Sequence, residues 1–236
     1  MKMNRIILVF FAIFLFAIQL SSQESDMIVV NAGTLIKSVF PPAIRYRYPE
    51  FTEGLAVMKN GNVTKDRFNY NLLLGNMEFI KDRDTLSIVN KKDLKLITLG
   101  IDTFYYFNGY LELIRSGTPR VYLKQLIALK EVRKTGAFGT TARSAAVDSH
   151  TYLATSGNIT ELRPEEDWVF QKTHEYYFSS GERPFVLFTR KNAIRSAPGH
   201  KQEIMKFIKD EKISFGSRDD LLKLAEYLGS LPDVYP

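Results

Sequence analysis

Arg120-Val121-Tyr122-Leu123-Lys124-Gln125-Leu126-Ile127-Ala128-Leu129-Lys130-Glu131-Val132-Arg133-Lys134 is the clearest amphipathic segment of the chain. Val121, Leu123, Ile127 and Leu129 fall on one side of a two-residue repeat. Arg120, Lys124, Lys130 and Lys134 fall on the other. Side chains alternate between faces only in an extended strand, so the pattern predicts one long strand with a core face and a basic face. A strand of this length is expected to carry a bulge, near Gln125 or Ala128.

Upstream of it the chain reads as a series of shorter strands separated by tight turns. Leu55 to Lys59 runs into Asn60-Gly61, and Asn-Gly is a strong hairpin signal because both residues accept positive φ. Phe68, Tyr70, Leu72 and Leu74 then alternate with Asn69 and Asn71. Gly75-Asn76 and Asp82-Arg83-Asp84 supply the next turns, on either side of Met77–Lys81 and before Thr85–Val89. Leu94–Leu99, Thr103–Phe107 and Tyr110–Ile114 continue the series, with Asn108-Gly109 between the last two. This spacing predicts an antiparallel meander rolled into a sandwich or partial barrel.

Downstream, residues 135–167 lose the repeat and read as a long loop, small and flexible at its start. Strand character returns at Trp168–Gln171, Glu175–Ser179 and Phe185–Thr189. The C-terminus is helical. His200 to Glu211 places Ile204, Phe207 and Ile208 on one face, and Leu221, Leu224, Ala225 and Leu228 repeat at helical spacing. Ser217 reads as the N-cap of that last helix and Gly229 as its C′ residue. The expected class is therefore α+β, mainly β, with a helical hairpin over 191–236 packed on a β-rich domain over 51–190. Residues 24–50 form an approach segment, broken by Pro41-Pro42 and Pro49.

Residues 1–23 read as a secretory signal peptide. Lys2 and Arg5 precede the 15 residues Ile6–Leu20, apolar apart from Gln19, and Ser21-Ser22 closes the run. That run is shorter than the roughly 20 residues that span a bilayer, so no transmembrane span is expected in the mature chain. Loss of the leader lowers the net charge from +6 to +4. The excess is local: Arg115 to Arg143 contains seven basic residues and one acid, Glu131. No cysteine occurs, which rules out disulfides, thiol catalysis and lipid attachment at a cysteine. With 45% hydrophobic residues the core can be large enough to hold the fold alone.

Several segments together resemble a loose group of exported proteins of Bacteroidetes-type bacteria. They are Phe51-Thr52-Glu53-Gly54-Leu55-Ala56-Val57 with Lys59-Asn60-Gly61, Phe68-Asn69-Tyr70-Asn71, Lys206-Phe207-Ile208-Lys209, Ile213-Ser214-Phe215, and Asp219-Asp220-Leu221-Leu222-Lys223-Leu224. The resemblance spans most of the mature chain. It implies export to the periplasm, the outer membrane or the exterior, and a β-rich fold with a helical tail. It carries over no catalytic residue. It also implies O-glycosylation at Asp-Thr-apolar sites, which Asp84-Thr85-Leu86 and Asp102-Thr103-Phe104 match, with Thr85 the candidate.

The residues of ordinary catalysis are scattered. His150, His174 and His200 make no i+3 or i+4 pair, so no helix-borne metal site is expected. Asp148-Ser149-His150 has triad residue types, but adjacent residues cannot orient one another as a triad does. Glu165-Glu166-Asp167 matches no calcium-loop spacing, and the glycines of 134–139 match no phosphate-binding loop. No metal, cofactor or catalytic residue is therefore assigned. Arg120, Lys124, Lys130, Arg133 and Lys134, with Tyr122 among them, form the candidate binding stripe. A concentrated positive face suits a polyanion such as an acidic glycan or lipopolysaccharide phosphate. It equally protects a sheet from edge aggregation. The expected function is a non-enzymatic envelope module for a partner protein or surface polyanion. The alternative is an exported hydrolase with a site around the 135–167 loop.

Overall fold

In the computed structural model, which describes residues 27–135, 141–145, 159–180 and 184–232, antiparallel strands dominate. In chain order they are β1 (Met27–Val30), β2 (Thr52–Met58), β3 (Val63–Asn71), β4 (Asn76–Lys81), β5 (Asp84–Ser87) and β6 (Leu94–Leu99). There follow β7 (Asp102–Tyr106), β8 (Tyr110–Arg115), β9 (Arg120–Thr135), β10 (Thr141–Ala145), β11 (Asp167–Ser179) and β12 (Val186–Leu187). They form one sheet in the order β1-β11-β9-β8-β7-β6-β2-β3-β4-β5, with β10 beside β9 and β12 beside β11. Two runs of consecutive hairpins, β2 to β5 and β6 to β9, carry the expected meander; between them the chain crosses back, so that β6 pairs with β2 and not with β5. Gly61 and Gly109 take positive φ at the two Asn-Gly turns.

The sheet rolls. The Ile127 amide on β9 donates to the Leu72 carbonyl just past β3, at 2.8 Å. The Tyr70 hydroxyl donates to the Gln125 carbonyl, also at 2.8 Å. Four strands separate β3 from β9 along the sheet, so these two bonds turn the meander into a partial barrel. Its interior is aromatic: the Tyr70 ring lies 5.9 Å from Phe104 and 5.8 Å from Tyr110.

Two asparagines that alternate with apolar residues in the sequence are buried. Asn69 accepts from the Tyr48 amide and donates to the Tyr48 and Glu50 carbonyls. Its amide replaces the ladder bonds that residues 48–50 lack beside β3. Asn71 accepts from the Leu73 and Leu74 amides and donates to Glu78. Buried polar groups persist when satisfied in this way. The same approach segment is pinned by Arg47 on Glu112 at 3.0 Å and by the Tyr48 hydroxyl on Asp102 at 2.6 Å. Pro42 starts a helical turn, Pro42–Arg45, where its missing N–H costs nothing.

Four boundaries depart from the sequence reading. Trp168–Gln171 and Glu175–Ser179 belong to one unbroken strand, because Lys172–His174 pair with Gln125–Ile127 of β9 like their neighbours. The irregularity in β9 lies at Lys130, opposite Val169/Phe170, not at Gln125 or Ala128. Within the expected 135–167 loop, β10 pairs with Glu131–Thr135. The last expected strand shrinks to two residues, and a helix follows it.

That helix is α1 (Arg190–Ser196), and α2 (Lys201–Asp210) and α3 (Arg218–Ser230) complete the C-terminus. Thr189 caps α1 by accepting from the Asn192 amide, and Ser217 caps α3 by accepting from Asp220. Asp220 answers Ser214 rather than Ser217, so the capping box is half formed. Gly229 lies inside α3, not past its end. A Cβ there would stand 2.2 Å from the Thr118 carbonyl, so the glycine lets helix and loop backbones touch. Leu221, Leu224, Ala225 and Leu228 are fully buried in a second core with Val121, Tyr176 and Phe178. Phe207 of α2 stacks on Tyr227 of α3 at 4.0 Å.

The two cores share one face of the two longest strands. Register pairs Phe170 with Leu129, Lys172 with Ile127, His174 with Gln125, Tyr176 with Leu123 and Phe178 with Val121. Phe170, Ile127 and Leu129 belong to the barrel core; Tyr176, Phe178, Val121 and Leu123 belong to the helical core. Gln125 and His174, bonded at 3.1 Å, form a polar waist between them.

Candidate binding face

The side chains opposite those cores form the outer face of β7, β8, β9 and β11. Register places Tyr122 between Leu113 of β8 and Tyr177 of β11, and Tyr105 beside Leu111. Phe185 folds over this row. Its ring lies 4.8 Å from Tyr122, 5.3 Å from Phe107 and 6.0 Å from Tyr105. Phe107 meets Tyr177 edge to face at 6.3 Å. Tyr122 is buried and hydrogen-bonded to Ser179, whereas Phe107 is 40% exposed. The result is a ring cluster with a covered centre and an open border.

Two of the candidate cations flank that cluster. Arg120 is exposed and pairs in register with Ser179, one step from Tyr122. Lys124 lies across the Asn108-Gly109 turn: its Cε would touch a Cβ at Gly109 at 2.8 Å. Its ammonium pairs with Glu175 at 3.3 Å, and its side chain is only 13% exposed. The other three sit further along β9. Lys130 is exposed at the strand irregularity. Arg133 bonds Glu131 at 3.1 Å. Lys134 pairs with Ala142 of β10, and its side chain lies outside the described residues. The five cations thus divide into a pair beside the rings and a group near β10, because the irregularity at Lys130 breaks the alternation.

Burial pushes the Tyr105 hydroxyl upward, and Tyr177 is pushed up to about 12 by burial and by the Glu175 carboxylate it bonds. Both stay neutral donors over the ordinary pH range. Exposed ring faces can pack against the C–H face of a sugar ring and neutral phenols can hydrogen-bond its hydroxyls, while the arginine meets an anionic substituent. The sequence signalled Tyr122 and the cations. It did not signal Tyr105, Phe107, Tyr177 and Phe185, which come from three separate segments.

Other sequence candidates have different places. Asp148, Ser149 and His150 lie outside the described residues. Asp167 accepts from the Ala32 amide at 2.8 Å and so anchors the end of β1. His200 contacts Glu203 and the Pro232 carbonyl. Thr85 is exposed on β5, the last strand of the sheet. Among the described residues no group of three or more His, Asp or Glu side chains is arranged to hold a metal.

A second concave feature lies at the mouth of the partial barrel, on the inner face. It is a hollow of about 310 Å³ between β2, β3 and β4 and the connection Ser87–Asn90. Comparison of the chain with protein-family models, with curated proteins and with solved structures finds no match.

Proposed function

We propose that this chain is an exported cell-envelope protein that binds a surface polyanion of the acidic-glycan type on the outer face of β9 and β11, without acting on it chemically. The observation that carries the reading is the open ring border of Phe107, Tyr177 and Phe185 with Arg120 and Lys124 beside it. Rings supply stacking area, and the exposed Arg120 supplies attraction to acidic substituents, with Lys124 held beside it by Glu175. Lys130 and Arg133 extend the positive field along β9 toward β10. The leader-like residues 1–23 support the compartment. Among the described residues no helix is long and apolar enough to cross a membrane.

Retention of the full chain on immobilised heparin against a salt gradient tests the binding. Replacing Arg120, Lys124 and Lys130 together by Gln is expected to lower the eluting salt and flatten its dependence, since fewer counterions are displaced. Phe107→Ser is expected to weaken binding without changing the salt slope. Unchanged elution in both variants would remove the face from consideration. Mass spectrometry of the protein from its native envelope tests export, with cleavage expected near Gln23. A mature pool still beginning at Met1 would overturn that part.

A further inference from the structure

We infer that the mouth of the partial barrel is a binding site for a small organic ammonium with an apolar body, independent of the outer ring face. The hollow is walled by Ala56, Met58, Phe68, Phe79, Ile88 and Leu94, all apolar. Its volume, about 310 Å³, is at the lower end of the range of small-molecule sites. One charged residue lines it: Asp66.

The strand register explains why a carboxylate is there. Thr64, Asp66, Phe68 and Tyr70 alternate onto the inner face of β3, and Phe68 and Tyr70 are core residues. Asp66 continues that face outward into the mouth. Its cross-strand neighbour on β2 is Gly54, which has no side chain to meet it. Nor can one be added, because a Cβ at Gly54 would stand 2.1 Å from the Thr98 carbonyl. The adjacent cations are engaged elsewhere. Lys65 pairs with Glu53 at 3.1 Å, and the Arg67 guanidinium bonds the Phe51 carbonyl. Among the described residues Asp66 accepts one hydrogen bond, on Oδ1 from the Arg67 amide at 2.7 Å, and has no ion pair.

Charge complementarity selects the ligand class. Oδ2 of Asp66 offers an acceptor to an ammonium. Phe68 and Phe79, with centroids 6.1 Å apart, present π-electron density, which also favours a cation. The apolar wall then covers the ligand's hydrocarbon. An anion would meet the carboxylate and is rejected. A neutral ligand of the same shape keeps the wall and loses the ion pair.

Chemical-shift titration of the full chain with phenethylammonium, 2-phenylethanol and phenylacetate tests this. The expected order is phenethylammonium tightest, the alcohol at least fivefold weaker, and phenylacetate without saturable binding, with shifts centred on Ala56, Phe68, Ile88 and Leu94. Asp66→Asn is expected to bring ammonium and alcohol to equal affinity. Asp66 is partly exposed, so this variant keeps the fold. Ala56→Val, which narrows the hollow, is expected to weaken both. An ammonium preference that survives Asp66→Asn, equal binding of phenylacetate, or no shifts at these residues would each overturn the site. Replacing Arg120 or Phe107 on the outer face is expected to leave these titrations unchanged, so this site and the glycan face can fail separately.

Discussion

The Ile127 amide donates to the Leu72 carbonyl at 2.8 Å, across a gap that four strands separate along the sheet. This bond and that of Tyr70 to Gln125 hold the roll of the barrel. Gly75 closes the turn from β3 to β4 with a φ of +63°, and a Cβ there would lie 2.9 Å from Leu126 Cδ2, the movable end of that side chain. Gly75→Val is therefore expected to cost at least about 1–2 kcal/mol from its left-handed backbone alone. Amide hydrogen exchange checks the mechanism. Ile127 should be strongly protected in the native chain and should lose protection in the variant more than Val121 does.

Leu224 is fully buried between α3 and the β9/β11 face. Leu224→Ala is expected to cost about 2–5 kcal/mol, the range for a buried leucine whose site cannot fully collapse. Denaturant unfolding of the full chain measures it. A midpoint equal to that of the native chain would mean that this face is not part of the core.

Gly229 gives a test in which two effects have opposite signs. In an exposed helix, Gly→Ala stabilises by about 1 kcal/mol. Here the added Cβ meets the Thr118 carbonyl at 2.2 Å, and overpacking of that kind costs about 1–3 kcal/mol. Gly229→Ala is expected to destabilise, and a raised melting temperature would show that the helix can shift away from the loop.

Alkaline stability should fall early. Burial, followed by the Glu78 carboxylate it bonds, pushes the Tyr46 hydroxyl up to about 12. Burial and Asp102 push Tyr48 upward as well. Both hydroxyls hold their protons more tightly folded than unfolded. Their contribution is therefore complete below the unfolded value near 10; that of Tyr46 is lost as pH rises from about 10 to 12, and that of Tyr48 goes on falling above that window. Tyr46→Phe should flatten the decline of unfolding free energy across that window, and an identical slope would assign the loss to other groups.

The hairpins of β2–β5 and β6–β9 and the apolar face of the last helix are legible in the sequence alone. Those features are local: a two-residue or 3.6-residue repeat and a turn dipeptide act within a few residues of themselves. Asn-Gly at 60–61 and 108–109 needs no distant partner to turn the chain. Where the repeats meet depends on contacts between distant segments. Asn69 reads as an outward polar residue until residues 48–50 arrive beside it to be bonded. Gly229 reads as a helix stop until Thr118 fills the space its missing side chain leaves. Trp168–Gln171 and Glu175–Ser179 read as two strands because the polar Lys172–His174 breaks the apolar run. The waist between two cores accommodates that polarity. The same holds for both candidate sites. Phe107, Tyr177 and Phe185 become one surface, and Asp66 comes to face an apolar hollow, because strands from separate parts of the chain roll together. The physical reason is that burial and ligand contact depend on which segments share a volume, and no repeat within one segment encodes its neighbours.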